Sequence, residues 1–543
     1  MNTSITSMSE TDTIASAPGG AGDLVAGVPA GVGAEQSAAA SVNHSLLRRA
    51  VSFPSMLGTL LVGAVFVVAR NFDVNPDFWW HAKVGETILA THHWPTVDPF
   101  SFTVTGQPWL AYEWLGDVLF AAVARVAGLQ GLDALLIVLS SAVMLALYAY
   151  ATLRCRNSKA GFVGAAVLLV LASPAFTLRP QMLGYLFLIL TLISLERFRT
   201  GKPRALSFLP LLFLVWVNTH ASWIIGLGTI LVYWVCGLKE FHVGDVQSRR
   251  WARNERIRLG FVFLLCLAVI PITPYGPRLA AYPFEVASSL PLNVANVSEW
   301  RSMPFNELTG KVFLALLATL FVVRAVSRLT WRLEELVLFL GGTVMACLHL
   351  RFLLLFVPFF APVFAAVLAR WVSPYDRAKD RFMLNGLLMA GAVALMIGHF
   401  PSRGRLEEIV AQQSPVRAVE YLRQHPVPGP MFETYEFGDY LVWSMAPEHR
   451  VFIDGRGELY ERGGVFADYV RVAGLKPGAL GVLRAYGVQS CLVRRDEPLV
   501  TVLAALPDWQ QVYSDDLSVV FVRRESAGAL DAALRNKKPD REE

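Results

Sequence analysis

Charged residues are scarce in this chain of 543 residues. Asp, Glu, Lys and Arg make up 17% of it and hydrophobic residues 54%, with a mean hydropathy of +0.45. Soluble domains carry roughly 25% charged residues, so the composition excludes an ordinary soluble protein and predicts a polytopic membrane protein. The net charge of +5 is modest, and its basic residues gather in particular loops. We therefore expect a lipid bilayer as a partner and no nucleic acid.

Cysteine motifs and nucleotide-binding motifs are missing as well. The five cysteines show no CxxC spacing and no plausible pairing, which argues against a disulfide framework and a zinc site. The sequence contains no GxxxxGK[ST], no GxGxxG and no HExxH. ATP-driven chemistry, Rossmann-type cofactors and zinc-protease chemistry are therefore unsupported.

Apolar runs of membrane length predict about eleven transmembrane helices. A span needs roughly 17–25 residues, and such runs cover 51–70, 132–153, 161–177, 181–198, 206–221, 222–240, 258–274, 312–328, 333–349, 351–370 and 382–400. Every second loop between them is rich in Lys and Arg, which is the pattern of cytoplasmic loops. We expect an all-α polytopic protein with a cytoplasmic N-terminus and an extracytoplasmic C-terminus.

This topology divides the chain into four parts. Residues 1–45 are rich in Ala, Ser, Gly and Thr and are predicted to form a disordered cytoplasmic tail. Residues 46–400 form the transmembrane domain, within which 71–131 is the first extracytoplasmic loop. Residues 401–525 are predicted to form a small extracytoplasmic α/β domain, with a helix over 415–425 and strands over 430–434, 450–454, 490–494 and 517–523. Residues 526–543 are predicted to be a flexible tail.

The first extracytoplasmic loop contains two predicted amphipathic helices. The helix over 78–91 would place Phe78, Trp79 and Ile88 on lipid, and the helix over 114–129 would turn Asp117 and Arg125 away from it. Such helices are typical of elements that lie along the membrane surface. The tryptophans of this loop fit an aromatic belt.

Ionisable residues near span ends cluster on the predicted extracytoplasmic face. Charge near lipid is costly, so such residues are candidates for a functional site. Asp77 follows Pro76 at a predicted helix start, where it either caps the helix or acts as a chemical carboxylate. His81, four residues on, would share its helix face. Glu113 and Asp98 are weaker candidates in the same loop.

Cationic groups are predicted on the same face. Arg179 precedes Pro180 at the start of a span, where it either meets an anion at the helix N-terminus or anchors the chain at lipid headgroups. His220 lies in a polar break between two spans, and His349 and Arg351 lie in a turn between two others. The segment Glu299-Trp300-Arg301 either covers the site or pairs internally. Asp454 and Arg456 flank Gly455 in the C-terminal region, where they either contact an acceptor or form a turn.

These residues carry a resemblance to a known superfamily. Its elements are Asn75-Pro-Asp-Phe-Trp-Trp-His81, Asp98-Pro-Phe-Ser-Phe-Thr103, Glu113-Trp-Leu115, Arg179-Pro-Gln181, Asn218-Thr-His220, Phe437-Gly-Asp-Tyr-Leu441 and Val451-Phe-Ile-Asp-Gly-Arg456. Together with the topology, they resemble the GT-C glycosyltransferases, and among these the bacterial relatives of dolichyl-phosphate-mannose mannosyltransferases and oligosaccharyltransferases.

The resemblance implies a sugar transfer from a polyprenyl-phosphate-linked donor to a glycan, lipid or protein acceptor. It implies that Asp77 is a catalytic base or a metal ligand. Many members have a second acid nearby, where this chain has Phe78, so no cofactor is certain and a divalent cation stays an open possibility.

The residues then support a specific arrangement. Arg179 and Arg351 would bind the donor phosphate with His349 and His220, while Asp77 and His81 would act on the acceptor hydroxyl. Glu113, Asp98, Asp454 and Arg456 would lie on the acceptor side. The predicted location is the bacterial cytoplasmic membrane. Two alternatives stay open: a transporter or flippase of a lipid-linked substrate, and a non-catalytic envelope assembly protein.

Overall fold

The computed structural model describes residues 47–71, 75–289, 291–327 and 330–525, and of 286–289 the backbone alone. The predicted tails 1–45 and 526–543 lie outside the described residues. The α-helices are α1 Phe53–Ala69, α2 Asp77–Thr91, α3 Trp114–Cys155, α4 Ser158–Ala166, α5 Leu169–Ala172, α6 Gln181–Arg199, α7 Leu209–Val217, α8 Trp223–Cys236, α9 Arg253–Ala268, α10 Arg278–Ser289, α11 Pro291–Asn296, α12 Leu308–Ser327, α13 Leu333–Leu348, α14 Leu353–Leu368, α15 Phe382–Gly398, α16 Arg403–Gln413, α17 Val416–Gln424, α18 Tyr435–Met445, α19 Gly457–Arg462, α20 Val465–Ala473, α21 Ala479–Ala485 and α22 Pro498–Ala505.

Short elements complete the chain. The 3₁₀ helices are Ser173–Ala175, Pro203–Leu206, Ser298–Trp300, Leu350–Phe352 and Arg377–Lys379. The strands are β1 Phe241–Val243, β2 Val246–Ser248, β3 Trp331–Arg332, β4 Met431–Glu433, β5 Ser490–Arg494, β6 Trp509–Ser514 and β7 Ser518–Arg523. Strands β1 to β3 form one small sheet and β4 to β7 form another.

A helix lies on each of the predicted apolar runs, but several of these helices are shorter than a full span. Five helical stretches in the described chain are long and apolar enough to cross a membrane, namely Trp114–Cys155, Ser158–Ala175, Gln181–Arg199, Leu308–Ser327 and Leu350–Leu368. A sixth arises if α15 and α16, which bend by 63° at their junction, form one span. The chain is a multi-pass membrane protein, and the predicted count of eleven spans is not confirmed.

Ion pairs with buried carboxylates join the ends of three helices. Arg154 near the end of α3 pairs with Glu335 of α13, and Arg199 at the end of α6 pairs with Glu334 of α13. Arg332, just before α13, pairs with Glu196 of α6 at 2.6 Å. These carboxylates are buried, and a charge at that depth needs a partner because the surroundings cannot solvate it. The network fixes the mutual position of α3, α6 and α13.

The first predicted surface helix is buried against protein, so its predicted lipid contact is wrong. In α2, Phe78, Trp79 and Ile88 are all buried. Trp79 packs edge-on against Tyr440 of α18, with 5.0 Å between the ring centroids. A protein surface covers this apolar face, which the sequence periodicity alone cannot distinguish from lipid.

The second predicted surface helix runs on into a membrane-length segment as α3. A non-helical residue, Gly128 with φ 57° and ψ −152°, breaks it between the predicted surface helix and the predicted span. Near its start, the backbone of α3 lies directly against α2. A Cβ on Gly85 of α2 would collide with the backbone carbonyl of Asp117. This close approach buries Asp117 between the helices, where the sequence predicted a polar outer face.

The C-terminal sheet has the strand order β4-β5-β7-β6, with β4 parallel to β5 and the other pairs antiparallel. Three of its strands lie where the sequence predicts strands. The predicted strand over 450–454 is wrong, because only Val451 forms a bridge, to Ser101 of the first loop. The sequence also missed β6. Apolar residues of this region share one hydrophobic core with Trp80, Val84 and Phe100 of the first loop, and the boundary at residue 401 stays a prediction.

Candidate functional site

Arg179 joins two carboxylates that are more than a hundred residues apart in the chain. Its Nη2 pairs with Oδ2 of Asp77, and its Nη1 lies 2.5 Å from Oε1 of Glu299. Pro180 follows it and α6 begins at Gln181, so the guanidinium stands beside a helix start. The side chains of Arg179 and Asp77 are 16% and 17% exposed. Asp77 and Arg179, both predicted site residues, are therefore in direct contact.

Asp77 is the first residue of α2 and does not cap it. The N-cap residue is Pro76, and no side chain makes a capping bond there. The Asp77 backbone N–H instead donates to Oδ1 of Asn75 at 3.1 Å. With Oδ2 held by Arg179, its second oxygen faces the C-terminal region at Gly455. The carboxylate thus has one oxygen that is ion-paired and one that is directed elsewhere.

Three polar atoms meet over Gly455. A Cβ on this residue would collide with Oδ1 of Asp77, and would lie 2.9 Å from Oδ1 of Asp439 and 3.0 Å from Nε1 of Trp80. Asp439 is fully buried and accepts the Gly455 N–H at 2.6 Å. Within the described chain, neither Oδ2 of Asp439 nor the Trp80 indole N–H has a hydrogen-bond partner. Asp439 lies in the motif Phe437–Leu441, yet the sequence analysis did not select it as a site residue.

A buried carboxylate supports this segment from behind. Oε1 of Glu433, in β4, accepts the N–H groups of Phe452 at 2.6 Å and Ile453 at 2.9 Å. These amides are therefore not available to a sheet, which explains why the predicted strand over 450–454 does not form. The same bonds hold Gly455 in front of Asp77.

A chain of four polar side chains lies close to this pair. Nδ1 of His81 lies 2.6 Å from Oδ1 of Asp117, and Nε2 of His81 lies 3.5 Å from Oε2 of Glu113. The other oxygen of Glu113 lies 3.3 Å from Nε2 of His220. The Ser222 backbone N–H donates to Nδ1 of His220 at 3.1 Å. The structure therefore brings His81, Glu113 and His220 together and adds Asp117, which the sequence analysis placed on a solvated face.

Burial dominates the electrostatics of the site. It raises the pKa of Asp77, against the Arg179 charge, which lowers it. Burial raises the pKa of Glu113 to about 8. It lowers the pKa of His220 to about 3 and holds the pKa of His81 well below its usual value, with Arg179 adding to both effects. Burial and the neighbouring Asp77 also raise the pKa of Asp439 well above its usual range.

Arg351 is the second cation of the site. Its guanidinium stacks over the ring of Trp300 with 4.2 Å to the centroid, and it lowers the pKa of Asp77, of Glu113 and of Glu299. No ion pair of Arg351 with a carboxylate is found in the described part of the chain. Trp300 also accepts a hydrogen bond at its carbonyl from Nδ1 of His349 at 2.7 Å.

Asp98, Asp454 and Arg456 form a separate cluster. Arg456 donates to both oxygens of Asp454, at 2.8 Å and 2.5 Å. Its Nη1 lies 2.8 Å from Oδ1 of Asp98, in an orientation that makes an ion pair but no hydrogen bond. All three side chains are completely buried. Their burial and mutual pairing favour a structural role, in contrast with the acceptor contact that the sequence indicated.

The residues around Asp77 do not fit a metal site with three or more protein ligands. Asp77 is the sole ligand that the sequence analysis offered, and its Oδ2 is taken by Arg179. In the described ranges, no group of three or more His, Cys, Asp and Glu side chains is placed to hold a metal ion.

Gly455 offers a test of this geometry. We expect Gly455→Ala to displace Asp77 or Asp439, because its methyl group would occupy the space where their oxygens meet. The protein should fold, and the rate of the sugar transfer that the sequence analysis predicts should fall at least about tenfold, since small displacements of reacting groups have effects of this size. Turnover of the purified variant measures this. Gly481→Ala is the matched control, because its Cβ meets nothing within 4 Å. Equal turnover in both variants would contradict the geometry.

The chain resembles known proteins in its fold and not in its sequence. No protein-family model matches the sequence, and no curated protein matches it. An oligosaccharyltransferase of Archaeoglobus fulgidus, tethered with an acceptor peptide containing the NVT sequon, matches with a TM-score of 0.51. The match has 11% sequence identity and covers 80% of this chain and 68% of that chain. A complex of the archaeal oligosaccharyltransferase AglB from the same organism with an inhibitory peptide and a dolichol-phosphate has a TM-score of 0.49, at 12% identity and 80% and 69% coverage.

The first of these matches confirms the resemblance at the level of the fold. The chain has a fold similar to that of this oligosaccharyltransferase. At this identity the likeness carries no residue roles.

Proposed function

We propose that the protein is a membrane glycosyltransferase that moves a sugar from a polyprenyl-phosphate-linked donor to an acceptor hydroxyl on the extracytoplasmic face. The observation that carries this proposal is the Asp77–Arg179 pair on a fold similar to that of an oligosaccharyltransferase. One oxygen of Asp77 is paired with Arg179, and the other faces Gly455. A transferase of this kind needs an anion site for the phosphate and a base for the hydroxyl. The pair and its surroundings contain both kinds of group.

Arg351 is the stronger candidate for the donor phosphate. Arg179 already faces two carboxylates, so a phosphate would have to compete with Glu299 for it. Arg351 lies over the ring of Trp300 and forms no ion pair with a carboxylate in the described residues. Its guanidinium could therefore bind a phosphate through two parallel hydrogen bonds. His349, beside the same tryptophan, and His220 are proposed to orient the phosphate.

Asp77 is proposed as the base. Its Oδ1 would take the proton of the acceptor hydroxyl while the hydroxyl oxygen attacks the anomeric carbon, and the bond from that carbon to the phosphate oxygen would break. The electron pair leaves with polyprenyl phosphate, which needs no proton to depart. Arg351 and Arg179 would stabilise the charge that develops on it. His81 and Glu113 are proposed to line the acceptor side.

The ion pairs at the helix ends away from the candidate site argue against the transporter alternative. A transporter that opens alternately to both sides must separate helices at each end. Here Arg154, Arg199 and Arg332 hold α3, α6 and α13 together through buried carboxylates. Leaving one such charge without its partner costs about 3–5 kcal/mol. The proposed location is the bacterial cytoplasmic membrane, with the N-terminus in the cytoplasm.

The direct test uses a synthetic polyprenyl-phosphate sugar with a radiolabelled lipid and the purified protein in lipid nanodiscs. We expect release of labelled polyprenyl phosphate that depends on the protein. Arg351→Gln should raise the KM for the donor at least about tenfold, because a charge-assisted bond to the phosphate is lost. Arg301→Gln is the matched control. The Arg301 carbonyl accepts the N–H of Leu350, next to Arg351, but the Arg301 side chain pairs with Glu307. If no donor of this class is turned over, the proposed function is wrong.

A further inference from the structure

His220 and His349 are held by different backbone groups, and these groups determine where each ring carries its proton. A backbone N–H only donates a hydrogen bond, whereas a backbone carbonyl only accepts one. The ring nitrogen that meets such a group must therefore play the opposite part. Nδ1 of His220 meets the Ser222 N–H, and Nδ1 of His349 meets the Trp300 carbonyl. The two rings consequently carry their protons on different nitrogens when they are neutral.

Nδ1 of His220 is an acceptor. The Ser222 backbone N–H donates to it at 3.1 Å, so this nitrogen has a lone pair and no proton. The Ser222 hydroxyl oxygen lies 2.8 Å from the same nitrogen. This oxygen accepts the indole N–H of Trp216 at 3.0 Å, which leaves the hydroxyl proton for His220. His220 is therefore a neutral ring whose single N–H is on Nε2, and Nε2 stands on the side of the candidate site, 3.3 Å from Oε1 of Glu113.

A close approach of α6 supports this arrangement. A Cβ on Gly184 of α6 would collide with Oγ of Ser222 and would lie 3.2 Å from Nδ1 of His220, so a larger residue here would push the hydroxyl away. Burial and the charges of Arg351 and Arg179 favour the same neutral ring, because they lower the pKa of His220 to about 3. His220 thus keeps one N–H donor and no charge at neutral pH.

Nδ1 of His349 is a donor. It lies 2.7 Å from the carbonyl oxygen of Trp300, so it carries a proton whether the ring is neutral or charged. Nε2 then has a lone pair in the neutral ring and gains an N–H only in the imidazolium. The ring also packs edge-on against the Trp300 indole, with 5.3 Å between the centroids. The guanidinium of Arg351 lies over the same indole, which places His349 beside the cation that is proposed to bind the donor phosphate.

We propose that the two histidines have different roles toward the donor phosphate: His220 donates a hydrogen bond to it as a neutral ring, and His349 binds it only as an imidazolium. This inference deepens the proposed function and rests on it, because the phosphate is the ligand that both rings would bind. A phosphate oxygen is an acceptor, and a neutral His349 would turn a lone pair toward it. Two acceptors cannot form a hydrogen bond, so this ring needs its second proton.

Donor affinity should therefore depend on the charge of His349 and not on that of His220. Histidines change charge between about pH 5 and pH 8. The affinity that His349 contributes is present at low pH and is lost as the pH rises. The charged residues on the segments packed against its ring are Glu299, Arg301, Arg351 and the ion-pair partners Arg179 and Glu307. Asp77 and Glu113 of the site also have raised pKa values, so each variant is compared with the wild type at the same pH.

The first test is spectroscopic and needs no substrate. In ¹⁵N NMR spectra of the full-length protein in nanodiscs, with labelled histidine, His220 should have a protonated Nε2 and a bare Nδ1 from about pH 5 to pH 8. His349 should have a protonated Nδ1 throughout and should gain a proton on Nε2 as the pH falls. Loss of each signal in His220→Gln and His349→Gln assigns it. A proton on Nδ1 of His220, or a neutral His349 protonated on Nε2, would overturn the proposal.

The second test makes the same substitution at both positions. A Gln side chain is neutral and has an N–H donor, so it can replace a neutral histidine but not an imidazolium. The probe is the synthetic polyprenyl-phosphate sugar, titrated without an acceptor; its phosphate is a diester and keeps one negative charge over this pH range. His220→Gln should bind it within about threefold of the wild type at every pH. His349→Gln should bind it at least about tenfold more weakly at about pH 5.5, where a charge-assisted bond is lost, and equally well at about pH 8.

His93→Gln is the matched control. Nδ1 of His93 also lies 2.7 Å from a backbone carbonyl, that of Thr91, but the ring is exposed, so affinity should equal that of the wild type at every pH. If His220→Gln lost as much affinity at low pH as His349→Gln, or if His349→Gln lost none, the proposal would be overturned. Donor binding with the expected pH dependence but without transfer would leave both roles standing and reject the proposed function. Transfer by a protein whose rings carry their protons on the other nitrogens would do the reverse.

Discussion

Replacing Asp77 with Asn is expected to lower the rate of sugar transfer by about 10²–10⁴-fold, the usual contribution of a positioned general base. Asn retains the shape of the side chain and can still meet Arg179 through its amide oxygen, but it cannot take up a proton. The measurement is kcat for release of polyprenyl phosphate by the purified variant. Because the base acts in the chemical step, kcat should fall while the KM for the donor changes little.

Glu299→Gln is the control for this substitution. Glu299 is the other carboxylate that Arg179 contacts, so this variant disturbs the same guanidinium and leaves the proposed base intact. We expect a change of less than about tenfold, consistent with loss of one partly exposed ion pair. If Asp77→Asn retained the full rate, Asp77 would not be the base. If both variants lost activity equally, the role of Asp77 would be to hold Arg179 and not to accept a proton.

The sequence predicted the membrane class and many of the helices because those depend on local composition. Hydropathy and periodicity identify an apolar helix wherever it lies. They do not reveal what covers it. Phe78 and Trp79 were therefore assigned to lipid, although Phe120 of α3 packs on Phe78 and Tyr440 of the C-terminal region packs on Trp79. The same ambiguity affects the span count, since a buried helix of 14 to 17 residues and a membrane span have similar composition.

The site was predicted in part, for a related reason. Asp77 and Arg179 could be selected because each stands at the end of an apolar run. A charge near lipid costs free energy, so an ionisable residue at such a position is a candidate for a functional site. Asp117 and Asp439 lie inside amphipathic helices, in which a carboxylate is ordinarily solvated. What makes them notable is a long-range contact: Gly85 brings α2 onto Asp117, and the bonds from Glu433 bring Gly455 onto Asp439. Local sequence does not encode these approaches.

The largest expected effect on stability comes from Arg456, which stands between two buried carboxylates. In Arg456→Gln, Asp98 and Asp454 would remain buried without their positive partner, which costs about 3–5 kcal/mol when one member of a buried pair is removed. Asp98 belongs to the first loop and Asp454 to the C-terminal region, so we expect the contact between these two parts to loosen and the C-terminal sheet to open. Cys491, buried in β5, reports this, because its thiol should react with maleimide much faster in the variant.

Two further variants separate the structural role of Arg456 from an acceptor contact. Arg450→Gln is the control, since Arg450 is exposed and lies 3.5 Å from a single hydroxyl; its Cys491 should stay protected. The triple variant Asp98→Asn, Asp454→Asn, Arg456→Gln removes the unpaired charges, and we expect it to be more stable than Arg456→Gln alone. A structural cluster predicts that protection of Cys491 and transfer activity return together in the triple variant. Restored protection with no transfer would instead assign these residues to the acceptor, because the fold would then be intact while the reaction still needed their charges.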